Sequence, residues 1–132
     1  TMQIHQSAED YLETILMLSQ RMGKVRSIDV VNELGFTKAS VSIAMKKLRE
    51  NGYIAVDGEG NLTLLEPGRE IAERIYSRHR LLTHFFVQLG VDEEVAAEDA
   101  CKAEHILSEQ TLKKIREYAL LHDAEDSVQK SE

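Results

Sequence analysis

Cys101-Lys102-Ala103-Glu104-His105 sets a thiol, a carboxylate and an imidazole at positions i, i+3 and i+4, which share one face if the segment is helical. Donors of these three types can converge on a divalent transition metal. Asp10 and Glu13, three residues apart, add two carboxylates beside an apolar stripe, and His79 falls within the apolar stripe of a third segment. Together they offer two imidazoles, three carboxylates and one thiolate. Ionisable groups are rarely buried unless they are paired or hold a metal, so this placement calls for a cation. Each residue taken alone also has an ordinary structural reading. Asp10 suits the N3 position of a helix capped by Ser7, where negative charge is favourable. Glu13 suits a surface, His79 a hydrogen-bonded core position, and Cys101 packing.

A second group of residues suits a polyanion. Thr37 is placed to cap a helix running to Asn51, in which Val41, Met45 or Ala44, and Leu48 turn inward while Lys38, Ser40, Ser42, Lys46 and Lys47 take other faces. Between Arg21 and Asn51 seven basic side chains stand against three acidic ones, although the whole chain carries a formal charge of -7. From Pro67 onward the balance reverses, nine basic against 14 acidic. One half can therefore face nucleic acid while the other attracts cations.

The elements that must position these groups follow from periodicity. Ala8, Tyr11, Leu12, Ile15, Leu18 and Met22 form the stripe of a first helix, with Ser7 as its N-cap and Gly23 its stop. Ser27 opens a short second helix with Ile28, Val31 and Leu34 inward, stopped by Gly35. Tyr53–Val56 and Leu62–Leu65 flank the turn-rich 57–61 segment as a hairpin. Two short helices, a tight turn and a hairpin make a winged helix-turn-helix, whose second helix enters the major groove. Pro67 then starts a long helix to about Leu89, carrying Ile71, Ile75, His79, Leu82 and Phe86. A further helix runs from Asp92 to about Leu107, and another follows Ser108 before a tail that frays beyond His122. The apolar positions after Pro67, notably Leu112, Ile115, Ala119 and the Phe85-Phe86 pair, exceed what a small winged domain covers and point to a dimer.

The fold expected is mainly α with a small β wing: a winged helix-turn-helix over 1–66 and a helical metal-binding and dimerisation domain over 67–132. At 132 residues the chain excludes large multidomain enzymes, and no apolar run approaches the ~18 residues of a membrane span. The N-terminal segment shows no signal-peptide pattern and the single cysteine cannot form an internal disulfide, so a cytoplasmic protein is expected.

Four segments carry a family resemblance: Ser7-Ala8-Glu9-Asp10-Tyr11-Leu12-Glu13, Leu62-Thr63-Leu64-Leu65-Glu66-Pro67-Gly68, Arg78-His79-Arg80-Leu81-Leu82, and Cys101 through His105. In their order and spacing the chain resembles the diphtheria toxin repressor and manganese transport regulator family of bacterial metal-dependent repressors, across nearly its full length. The resemblance implies metal-ligand roles for Asp10, Glu13, His79, Cys101, Glu104 and His105. Asp10 is similar to the manganese branch, where the iron branch carries methionine; Cys101 is similar to the iron branch, where manganese regulators carry glutamate. Thr83 and Glu98 replace the glutamate and histidine of the iron branch's ancillary site, so an intact ancillary site is not expected. The chain ends before the SH3-like third domain of many iron-branch members, which agrees with the two-domain plan of the manganese regulators.

The expected function is thus a homodimeric transcriptional repressor of metal homeostasis genes, activated by Fe(II) or Mn(II), with Co(II) or Zn(II) binding in vitro. Its expected partner is a pseudo-palindromic double-stranded DNA operator, contacted through Thr37, Lys38, Ser40, Ser42, Lys46 and Lys47. Two other classes compete: a winged-helix regulator that no metal gates, and a small metallohydrolase. The second lacks a Gly-rich phosphate loop, a nucleophile elbow or a His-Glu-x-x-His motif.

Overall fold

A computed structural model describes residues 6–130, with side chains described through Glu125. Residues 1–5, part of the segment read for a targeting signal, lie outside it. The chain divides into two units, the first ending at Arg74 and the second beginning at Ile75.

The first unit opens with α1 (Gln6–Met22), whose Tyr11, Leu12, Ile15 and Leu18 are buried as the stripe requires, while Met22 is half exposed. The helix already includes Ser7, so Ser7 is not its cap. Glu9 pairs with Arg74 at 3.2 Å. A two-residue strand, β1 (Val25–Arg26), precedes α2 (Ser27–Leu34). The Asp29 carboxylate accepts from the Arg26 backbone N–H at 2.9 Å and fixes that helix start. In α2 the buried residue is Val30, and Ile28 is 44% exposed. The inward face expected from Ile28, Val31 and Leu34 is therefore rotated toward Val30.

Gly35 adopts φ 71° and its N–H bonds the Val31 carbonyl, the left-handed stop that most side chains resist. This is the turn of the helix-turn-helix. Next, α3 (Lys38–Glu50) buries Val41, Met45 and Leu48. Strands β2 (Ile54–Val56) and β3 (Asn61–Leu64) form the wing, and β1 joins them in an antiparallel sheet of order β1-β3-β2, with Val25 opposite Leu62 and Ile54 opposite Leu64. At the wing tip the Asp57 carboxylate accepts from the Glu59 and Asn61 backbone N–H groups and the Asn61 side chain. These bonds favour the ionised form and lower its pKa.

The long helix α4 (Glu66–Gln88) starts in the first unit. A Cβ on Gly68 would lie 2.1 Å from the Tyr53 carbonyl oxygen, so glycine is required there for the helix to lie against the end of α3 and the wing. In the second unit the rest of α4 is followed by α5 (Glu93–Ala103) and α6 (Glu109–Lys130). The Ser108 hydroxyl accepts from the Thr111 N–H at the start of α6. Helix α6 continues past His122, where the sequence predicts fraying. Leu82, Ala100 and Leu112 form the core of this unit, packed by Leu81, Phe86, Ala103, Leu107 and Ile115. Leu112 and Ala119, read as dimer surface, are thus buried within one chain. Among the described residues of this unit, the large apolar side chains that remain exposed are Val87, Leu89, Val95, Ile106, Tyr118, Leu120 and Leu121.

Candidate metal centre and nucleic-acid interface

Helix periodicity places His79 between two fully buried neighbours on α4, Ile75 and Leu82. Its ring therefore faces inward, with 17% of the side chain exposed. Opposite it, α5 buries only alanines, Ala96 and Ala100, and such small side chains let two helices approach closely. Cys101 follows Ala100 on the last turn. Glu104 caps α5 with its backbone still helical and its N–H on the Ala100 carbonyl, so it stays on the face of Cys101 although the helix ends at Ala103 rather than near Leu107.

The Glu104 side chain is 0% exposed. Its Oε2 lies 3.0 Å from His79 Nδ1, and its Oε1 lies 3.4 Å from His105 Nε2 without accepting a hydrogen bond among the described residues. Cys101 Sγ stands 3.7 Å from the same His79 Nδ1. The bonds to Cys101 and then Glu104 favour the protonated imidazole and outweigh its burial, raising the pKa of His79 from 6.5 to about 10. Donor atoms of His79, Cys101 and Glu104 all lie within 4.8 Å of one another. The 3.0 and 3.7 Å separations of these contacts lie within the ~4–4.6 Å that two metal bonds of ~2.0–2.3 Å span. A fully buried carboxylate facing a thiol and an imidazole, with one oxygen left without a hydrogen bond, fits a divalent cation.

Arg78, next to His79, donates to the Glu104 carbonyl at 3.1 Å and pairs with Glu109. It orients the cap that carries Glu104. In the sequence Arg78 stands out only as part of a motif, and its adjacency to a candidate ligand is the available signal. Thr83 donates its hydroxyl to the His79 carbonyl at 2.8 Å. Cys101 is exposed rather than a packing residue. The structure thus brings together His79, Cys101, Glu104 and His105 in the second unit. Asp10 and Glu13 are carried by α1 in the first, Asp10 half-buried and Glu13 only 6% exposed.

On α3 the Thr37 hydroxyl oxygen accepts from the Ser40 N–H at 3.1 Å and donates to the Ser40 hydroxyl at 2.9 Å. Lys38, Ser40, Ser42, Lys46 and Lys47 are exposed. A cleft of about 260 Å³ is lined by Ser27, Ser42, Met45, Lys46, Arg49 and Val56. Ser27 and Arg49 join the candidate surface here. Arg49 belongs to the local charge excess, but its side on the helix becomes legible only once Val41, Met45 and Leu48 are known to be the inward set.

Comparison with known proteins decides the family. The model of the iron dependent repressor N-terminal DNA binding domain matches residues 3–62, and that of the iron dependent repressor metal binding and dimerisation domain matches residues 65–123. The chain belongs to the iron-dependent repressor family. This is the diphtheria toxin repressor and MntR family of metal-dependent transcriptional repressors, which are regulators and not enzymes. An uncharacterized HTH-type transcriptional regulator of Methanocaldococcus jannaschii is 35% identical over 113 residues, 84% of this chain and 90% of that protein. MntR of Bacillus subtilis is 32% identical over 124 residues, 94% of this chain and 87% of MntR. Among solved structures, a manganese-dependent transcriptional repressor in complex with manganese is 30% identical, with a TM-score of 0.77 over 85% of this chain and 52% of its own. IdeR of T. acidophilum, at 23% identity and a TM-score of 0.77, shares the fold over 89% of this chain and 55% of its own. The chain spans about half the length of these solved chains. Among the described residues no helix is long and apolar enough to cross a membrane.

Proposed function

We propose that this member of the iron-dependent repressor family is a cytoplasmic homodimer that represses metal homeostasis genes by binding a pseudo-palindromic operator when Fe(II) or Mn(II) is plentiful. The convergence of His79, Cys101 and Glu104 carries the reading. Asp10, Glu13 and His105 complete the ligand set. Residues 1–66 form the DNA-binding domain and 67–132 the metal-binding and dimerisation domain.

A divalent ion held by these residues would neutralise the buried Glu104 carboxylate. The protein's own residues do the rest. Arg78 holds the Glu104 backbone, so the carboxylate is in place before any ligand arrives. Lys46 and Lys47 neutralise phosphates, and Ser40 and Ser42 reach base edges from the N-terminal half of α3. If metal favours the DNA-competent arrangement by ~3 kcal/mol, operator affinity rises roughly a hundredfold. Cys101 shifts the preference of an otherwise oxygen-and-nitrogen set toward Fe(II), which we place ahead of Mn(II).

Operator binding titrated in parallel with Mn(II), Fe(II), Co(II) and Zn(II) under reducing conditions tests this. Tight binding with metal and weak binding without it is expected, and equal binding in a chelator overturns metal gating.

A further inference from the structure

One residue on α3 is at odds with its surroundings. Val41, Met45 and Leu48 are 0–5% exposed, whereas Ile43 is 59% exposed. At about 100° per residue, Ile43 projects roughly opposite those three, near the middle of the outward face. Lys46 and Lys47 stand one turn further on, and Ser42 beside it opens into the cleft with Lys46 and Arg49. A solitary exposed isoleucine needs no explanation on most surfaces. In the centre of a basic, serine-bearing helix face its chemistry is specific, because the apolar group that the major groove offers is the C5-methyl of thymine. A β-branched side chain is also stiff at χ1 and loses little freedom on meeting such a partner.

We propose that Ile43 sets sequence specificity by packing on a thymine methyl at one fixed position of each operator half-site. This rests on the DNA-binding reading above and deepens it: phosphates set the grip through lysine and arginine, and a methyl group is read between them. The charge of the surrounding face commits the occupant to DNA. Covering one methyl is worth about fourfold in affinity per half-site, roughly fifteenfold for two symmetric half-sites.

The test starts from operators selected from a random duplex library by the metal-loaded protein. Each thymine of the selected half-site is then replaced by uracil, which removes only the methyl. At one position, uracil in both half-sites should weaken binding about fifteenfold, and Ile43→Ala should erase that loss while leaving the salt dependence of binding unchanged. Ile43→Val should retain most of it. Ile43 is exposed, so the alanine variant keeps its fold, which its metal affinity checks. Selection without enrichment overturns the DNA-binding reading and this inference with it. Enrichment with uracil-insensitive binding, or the same loss in Ile43→Ala, overturns only the role of Ile43. A change in self-association of Ile43→Ala without DNA assigns the side chain to a protein contact and overturns it too.

Discussion

If His79 ligates metal as proposed, metal and proton compete for its ring, and the competition is large enough to measure. His79 Nδ1 faces the Cys101 thiol and the Glu104 carboxylate, which hold the ring protonated with a pKa of about 10. An imidazole binds metal only when neutral. At pH 7 a group of that pKa is neutral about one time in a thousand, so the proton weakens apparent metal affinity by roughly three orders of magnitude, ~4 kcal/mol. At least one proton should therefore leave per ion bound, and the logarithm of the affinity should rise by about one per pH unit for each proton released. Calorimetric titration with Mn(II) in buffers of different ionisation enthalpy counts those protons. NMR titration of the metal-free protein locates the imidazole pKa directly. A His79 ring titrating near 6.5, or metal binding with no proton release at pH 7.5, would refute the reasoning.

Replacing Lys46 or Lys47 by alanine should weaken binding to all sequences and lower the salt slope by about one for each phosphate no longer neutralised, and an unchanged slope counts against a phosphate-binding role. Cys101→Glu should raise the Mn(II) response relative to Fe(II) and Co(II), and the Co(II) protein should show a near-ultraviolet charge-transfer band that Cys101→Ser abolishes. An identical cobalt spectrum in that variant removes Cys101 from the ligand set. Sedimentation at micromolar concentration should give a particle near twice 15.0 kDa, and Leu120→Glu with Leu121→Glu should reduce it to the monomer, because these exposed residues rather than Leu112 and Ala119 are available for a partner.

What could be read from sequence depended on how much pattern each element carries. The stripes of α1 and α4 span several turns, so most of their inward residues, including His79 between Ile75 and Leu82, follow from spacing, although Leu16 and Ala72 are buried outside the stripes and Met22 is half exposed. Thr37 likewise announces itself as a cap ahead of Lys38. By contrast, β1 has two residues, too few for any period, and its pairing with β3 depends on a strand 35 residues further along. Helix α2 has two turns and adjacent valines, so tertiary packing chose Val30 over the stripe through Ile28. In α6 apolar residues occur on several faces, and composition could not say that Leu112 and Ala119 close the core while Tyr118, Leu120 and Leu121 stay outside. For the candidate centre, spacing grouped Cys101, Glu104 and His105. The complete burial of Glu104 and its anchoring by Arg78 required the three-dimensional approach of α5 to α4.

That burial explains why the centre can exist before metal arrives. An uncompensated carboxylate at 0% exposure would cost several kcal/mol, and the protonated His79 ring supplies the compensating charge 3.0 Å away. Because the ring's folded-state pKa is raised above 6.5, this bridge contributes its full stability below about pH 6.5 and loses it as pH rises through about 10. A divalent ion can take over that compensation and leave the carboxylate paired when the proton departs. Proton and metal would then stabilise the same buried group in alternative ways. On the proposed ligand set, the proton on His79 is a partner that a metal ion would have to displace, so the metal response should depend on pH.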